Sequence, residues 1–202
     1  MWHPFRLMTK ARLLTVLAVL AIVVVVALGF AESRRGAPAA PLKVLSATQV
    51  AARVAGAGEP YAALHAQSSQ LLPGGLSALR ERIAALHGHP IVINKWASWC
   101  EPCKEDFPLF QHASTNLARS VAFIGIASNG SARSDSEALL ARYPLPYPSY
   151  WDPSGRAGAG LTGSAFLPVT MFINPQGGTY VRQGAYPSLA KLEADVRRYA
   201  EG

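Results

Sequence analysis

Cysteine occurs twice in the 202 residues, at Cys100 and Cys103, in the run Cys100-Glu101-Pro102-Cys103. Two thiols separated by two residues at the start of a helix have a specific chemistry. The first meets unpaired backbone N–H groups and the positive end of the helix dipole, which favour its thiolate. The second lies one turn in, close enough to close a disulfide and shielded from solvent. Cys100 is then the attacker on a substrate disulfide, and Cys103 resolves the mixed disulfide. Pro102 removes a donor that the first turn does not need and stiffens the loop. Glu101 places a carboxylate between the sulfurs and opposes thiolate formation. A structural disulfide over so short a loop removes little unfolded-state entropy, so its stabilising value is low. Metal binding by the pair needs further ligands; the nearby His112 reads as a surface histidine.

The rest of the chain bounds what such a dithiol can belong to. Half of the residues are hydrophobic (50%) and 15% are charged, the composition of a folding chain. With no second cysteine pair, a four-cysteine zinc site and a disulfide-framework mini-protein are excluded. Nothing repeats at the periods of solenoids or propellers. The net charge is +7, but residues 1–41 carry five of the basic side chains against a single acid, Glu32. What remains is +3 over residues 42–202 with no Lys/Arg run, which argues against a nucleic-acid partner.

The basic excess flanks an apolar segment. Leu13–Ala31 is 19 residues without a charge, and as a helix it is about 28 Å long, close to the hydrocarbon thickness of a bilayer. Arg6, Lys10 and Arg12 precede it and Glu32, Arg34 and Arg35 follow it. That bias keeps residues 1–12 in the cytoplasm and exports the remainder. The segment 13–31 is thus expected to be a single-pass transmembrane anchor in membrane lipid; a cleaved signal ending near Ala31 is the alternative. Residues 32–45 read as a linker.

Elements positioning the dithiol follow from hydrophobic periodicity. Ala47–Ala55 and Pro60–Leu72 are candidate short helices. Leu76, Leu79, Ile83 and Leu86 recur at helical steps around Arg80-Glu81-Arg82. His65, His87 and His89 in this region are expected to be surface or loop histidines. Ile91–Asn94 is a buried-type strand leading into Trp96-Ala97-Ser98-Trp99-Cys100. A helix over Cys100–Leu117 contains Pro108, which should kink it. Val121–Ala127 is a second strand, and residues 135–143 a helix. Tyr143–Asp152, with three prolines and three tyrosines, suits an extended connection. Val169–Ile173 and Thr179–Gln183 flank Asn174-Pro-Gln-Gly-Gly178, a hairpin signal. Pro187 opens a last helix with Leu189, Leu192, Val196 and Tyr199 inward. This alternation predicts an α/β fold, a mixed sheet flanked by helices.

Two segments carry a family resemblance. Asn94-Lys-Trp-Ala-Ser-Trp-Cys-Glu-Pro-Cys-Lys-Glu-Asp-Phe-Pro108 resembles the active-site segment of membrane-anchored thioredoxin-like oxidoreductases of the TlpA/ResA/CcmG (DsbE) type. Leu167-Pro-Val-Thr-Met-Phe-Ile-Asn-Pro-Gln-Gly177 is similar to the same family's second signature. The likeness covers about residues 88–200; the amino-terminal hairpin expected before it is not visible in 42–88. It implies a thioredoxin-like domain over 46–202, with a helical extension to about 88. It implies a nucleophilic Cys100, a buried Cys103 and a cis Leu167–Pro168 bond opposite the dithiol, where Leu167 and Pro168 meet the substrate chain. Trp99, Glu101 and Pro102 are further substrate-contacting residues at the exposed rim, whereas Trp96 reads as a core aromatic.

Three positions depart from the family pattern or from cytoplasmic thioredoxins. Asp106 stands where the family has Glu, and a buried carboxylate there accepts the proton of the resolving thiol. Lys95 replaces an apolar residue and is expected to snorkel to an edge or pair with an acid. Asn94 takes the place of the buried acid of cytoplasmic thioredoxins. No cofactor beyond the redox-active Cys100–Cys103 disulfide, and no metal, is implied.

The expected function is extracytoplasmic thiol–disulfide exchange, reducing disulfides of exported proteins such as apocytochrome c, with electrons from a transmembrane thiol-reducing partner. Two alternatives use the same cysteines: a disulfide-forming oxidase, and a copper-delivery chaperone for a respiratory oxidase. A thiol peroxidase fits less well.

Overall fold

The computed structural model describes residues 10–35, 42–130 and 132–202. The first segment is one helix, α1 (Lys10–Arg35), which contains the expected anchor segment 13–31. Its side chains are described over 14–26, all exposed. Among the described residues no helix is long and apolar enough to cross a membrane.

The second compact unit begins at Leu42. Lys43 and Leu45, placed in the linker by sequence, are held to it. The Leu45 N–H donates to Gln111 Oε1 (2.6 Å), Gln111 Nε2 returns a bond to the Leu45 carbonyl (2.9 Å), and the Lys43 carbonyl lies 2.9 Å from His112 Nε2. Short helices α2 (Ala47–Val54) and α3 (Tyr61–His65) follow. Ser46 caps α2 through the Gln49 N–H, and the Gln49 side chain answers the Ser46 N–H, closing a capping box. The expected helix over 60–72 stops early: Ser69 takes a positive φ of 56° and Leu71–Leu72 form a strand, β1. Of the three histidines expected at the surface, His65 is half-buried, with its ring nitrogens 2.7 and 2.9 Å from the Pro146 and Ala118 carbonyls.

Then come α4 (Gly75–Ala85), β2 (Ile91–Trp96), α5 (Glu101–Asn116), β3 (Ala122–Ser128), α6 (Arg133–Arg142), β4 (Ser149–Asp152), α7 (Arg156–Thr162), β5 (Val169–Ile173), β6 (Thr179–Gln183) and α8 (Leu189–Tyr199). The sheet order is β1-β4-β3-β2-β5-β6. Strands β1 to β4 pair in parallel, and β5 and β6 join antiparallel. This is the expected α/β mixed sheet. Every residue of β2 is buried, as a central parallel strand covered on both faces requires. Helices α5, α6 and α8 supply Phe107, Phe110, Leu139, Leu192 and Val196 to one face. On the other, α3, α4 and α7 supply Tyr61, Leu64, Leu79 and Ala157. Each such large apolar side chain, once covered, contributes about 1.5–3 kcal/mol.

Two further elements depart from the sequence reading. The connection 143–152 ends in β4, held between β1 and β3. Its register places Ser149 against Gly125, where a Cβ would lie 2.0 Å from Ser149 Oγ, so the two strands meet only because residue 125 has no side chain. The Gly-rich run after it is α7, bounded by Gly155 and Gly163 at positive φ. The Asp152 carboxylate accepts its Ala157 and Gly158 N–H groups at 3.2 and 2.8 Å and Ser154 Oγ the Arg156 N–H at 3.4 Å, so side chains satisfy the free N–H groups of the first turn. Helix α5 continues through Pro108 as one element of 16 residues.

Candidate active site

Strand β2 delivers the chain to the tip of α5. Cys100 is the N-cap residue of that helix, and its Sγ accepts the Cys103 N–H at 3.3 Å. The two sulfurs are joined at 2.02 Å. A sulfur at this position faces the orphan N–H groups and the positive end of a 16-residue helix, which lowers the cost of a thiolate there. Cys103 is 1% exposed, and Cys100, expected to be reachable, is only 5% exposed. Both cysteines are therefore buried, and the exposed surface around them belongs to their neighbours: Trp99 is 57% exposed, and Glu101 and Pro102 are exposed as well. Trp99 Nε1 donates to the Asn129 carbonyl at 2.7 Å, which holds the indole outward. Glu101 pairs with Lys104 at 2.7 Å on the solvent side, so part of its field is neutralised away from the sulfurs.

The opposite wall comes from β5. It pairs antiparallel with β2 as far as Lys95 against Val169, so the residues preceding 169 run beside the residues following 95. The Leu167–Pro168 bond is cis. Leu167 packs against the core cluster that contains both cysteines. The Pro168 carbonyl is taken by the Gly184 N–H at 2.9 Å. Trp96 faces the core, as read, with its ring 5.0 Å from that of Phe107.

Behind the cysteines, Asp106 is 1% exposed on the same side of α5 as Cys103, three residues on. Its Oδ1 accepts the Tyr186 N–H at 2.8 Å; among the described residues Oδ2 has no hydrogen-bond partner. Burial pushes its carboxyl up to about 7, against the pull of the Tyr186 N–H and the Arg182 guanidinium and with a push from Glu105. Asn94 and Tyr147 are buried nearby, and among the described residues neither the Asn94 amide nor the Tyr147 hydroxyl closes a hydrogen bond of normal geometry. Burial raises the Tyr147 phenol above the ordinary tyrosine range.

The model of the AhpC/TSA family matches residues 78–179, half of the chain. The chain belongs to the AhpC/TSA family. Among curated proteins it is similar to thiol-disulfide oxidoreductase ResA of Oceanobacillus iheyensis, 27% identical over 97 residues, covering 48% of this chain and 50% of that one. To ResA of Bacillus subtilis it is 26% identical over 98 residues, covering 48% and 54%. The chain thus spans about half the length of the curated relatives it matches. Among solved structures, a secreted Mycobacterium tuberculosis disulfide oxidoreductase homologous to E. coli DsbE superposes with a TM-score of 0.52 at 23% identity, over 57% of this chain and 85% of that one. That likeness shows the thioredoxin-like fold.

For an AhpC/TSA-family chain the arrangement places Cys100, Cys103 and Leu167 in or against one core cluster, with Asp106 buried on the same helix and Trp99, Glu101 and Pro102 exposed beside the cysteines. Beside these exposed residues lies a cleft of about 350 Å³ bounded by Trp99, Lys104, Leu139 and Arg142. Among the described residues no group of three or more His, Cys, Asp or Glu gathers to hold a metal ion. The sequence reading missed Phe166, 68% exposed immediately before Leu167; an aromatic beside Leu-Pro in an otherwise small-residue loop is the signal that could have found it. Of the two expectations for Lys95 the edge fails, since the side chain is buried, while an acid, Asp152, does act on it.

Proposed function

We propose that this chain is an extracytoplasmic thiol–disulfide oxidoreductase that reduces disulfides of exported proteins. The observation that carries the reading is a closed Cys100–Cys103 pair at the N-cap of α5, with the Cys103 N–H on Cys100 Sγ and Leu167 packed alongside. In the reduced protein the Cys100 thiolate attacks one sulfur of a client disulfide. The client S–S bond breaks, a mixed disulfide forms and a client thiolate leaves. Cys103 then gives its proton to the Asp106 carboxylate and attacks Cys100 Sγ, expelling the second client thiolate. Two electrons pass to the client, and the Cys100–Cys103 disulfide closes. A dithiol donor must return those electrons, and a transmembrane thiol-reducing partner is the source we assign.

Trp99, Glu101, Pro102, Leu167 and Pro168 are the substrate-contacting residues of this reading. Among the described residues no hydrogen bond engages the Leu167 N–H or carbonyl, which supports pairing of that backbone with an extended client segment. The uncharged run 13–31 and its basic leading flank, read in the sequence, support membrane anchoring through that segment, of which the structure describes the side chains of 14–26 alone. An apocytochrome c is the client class we favour, by resemblance to the TlpA/ResA/CcmG type. The test is Cys103→Ala in cells, which leaves Cys100 unable to be resolved. Apocytochrome c recovered in disulfide linkage to Cys100 is the expected result; recovery of oxidase copper subunits alone would overturn the client assignment. Insulin reduction by the full chain should vanish in Cys100→Ala, and undiminished activity there would remove Cys100 as nucleophile.

A further inference from the structure

Lys95 is a lysine in the middle of the core. It belongs to β2, five residues before Cys100, and is 1% exposed. Its side chain points to the face opposite α5, between the C-terminal ends of the strands and α7; the preceding β2 residues on that face, Ile91 and Ile93, are apolar. Burial lowers its pKa and the Asp152 carboxylate pulls it back up. Asp152 is itself held by Ser128 Oγ and the Gly158 N–H, each at 2.8 Å. Helix α7 lies directly on the lysine stem: a Cβ on Gly158 would come within 2.7 Å of Lys95 Cδ. Burying an ammonium where an isoleucine would fit is unfavourable unless it makes a bond that an alkyl chain cannot.

That bond goes to the substrate side of the molecule. Lys95 Nζ donates to the Ser164 carbonyl at 2.5 Å. Ser164 is the hub of the loop 163–168: its hydroxyl accepts the Phe166 N–H at 3.2 Å and Gln183 Nε2 at 3.1 Å. Ser164 and Pro168 are buried and the Thr162 hydroxyl also donates to the Ser164 carbonyl at 3.3 Å, but Ala165 and Phe166 between them are exposed, and the bond from Lys95 is the charge-assisted tie of this loop to β2. We propose that Lys95 is a positioning residue: its buried ammonium holds the Ser164 carbonyl and so fixes the loop that presents Phe166 and Leu167 to a protein disulfide. One strand then supports both walls of the groove, since β2 also carries the chain into Cys100. This rests on the disulfide-exchange reading for its kinetic arm alone.

The test uses the full chain as Lys95→Met and as Lys95→Met/Asp152→Asn, the second leaving no buried charge uncompensated. Amide exchange at Ala165, Phe166 and Leu167 should quicken about tenfold, with β2 and β3 amides as protected as in the parent. With insulin the KM should rise about fivefold at an unchanged kcat, while the rate with the small disulfide dithiobis(nitrobenzoate) moves less than twofold. Unchanged loop exchange overturns the proposal, as does an equal loss on both disulfides. Failure of both variants to fold makes Lys95 a core residue and overturns it too. If the parent chain reduces no insulin, the proposed function fails, and loop exchange still decides whether the clamp exists.

Discussion

Replacing Asp106 by Asn tests the buried carboxylate through stability as well as through chemistry. The carboxyl is raised from its usual 3.8 to about 7, with burial the largest cause. Each tenfold change in proton affinity is worth about 1.4 kcal/mol, so carrying the ionised form in this site costs about 4 kcal/mol. The sign follows from the proton count. Between pH 4 and 7 the folded chain keeps a proton that the unfolded chain has released, so folding stability falls as pH rises through that window. Below it both states are protonated and the penalty is absent; above it the penalty is complete. Asn keeps the acceptor for the Tyr186 N–H and never ionises. Urea unfolding of the oxidised full-length chain, followed by fluorescence from pH 4 to 8, should show Asp106→Asn gaining on the parent steadily with pH, by about 4 kcal/mol in all. Any difference at pH 4 reports only the exchange of a hydroxyl for an amide. A gap independent of pH would refute the buried, proton-holding carboxyl, and with it the proton acceptor assigned to Cys103.

The same group should set the pH profile of the second exchange step. Release of a client from the Cys100 mixed disulfide should accelerate through pH 7 in the parent chain and lose that rise in Asp106→Asn, measured by stopped-flow with a fluorescent peptide disulfide. Gln111→Leu strands the Leu45 N–H and the Leu45 and Pro144 carbonyls that Gln111 now satisfies; a loss of about 2–4 kcal/mol in urea unfolding is expected, and a neutral result would mean residues 42–46 are not held by it. Gly125→Ala drives a methyl into Ser149 Oγ and should cost about 1–3 kcal/mol, with Gly125→Ala/Ser149→Gly recovering most of it.

The dithiol chemistry was legible before any fold was known, because it is local. Spacing puts both cysteines on the first turn of one helix, Pro102 suits that turn, and the apolar run Ile91-Val92-Ile93 must be a buried strand leading to it. The Asn174–Gly178 turn announced its hairpin in the same way. Elements β1 and β4 were illegible for the converse reason. Leu71–Leu72 and Ser149–Asp152 are too short to show a period; β4 is seated against β3 where Gly125 allows close approach to Ser149, and β1 in turn pairs with β4. Helix α7 has almost no helical signal of its own and depends on the Asp152 carboxylate at its start. Residue type could place an acid at Asp106 and a cation at Lys95, but charge in a side chain says nothing about the medium around it. Burial, which raises one group's proton affinity and lowers the other's, arises only when α5, α7 and α8 close over the sheet. The near-burial of Cys100 has the same origin. Sequence by itself determined which atoms carry the proposed electron exchange; packing between residues far apart in the chain decided how buried they are and which groups surround them.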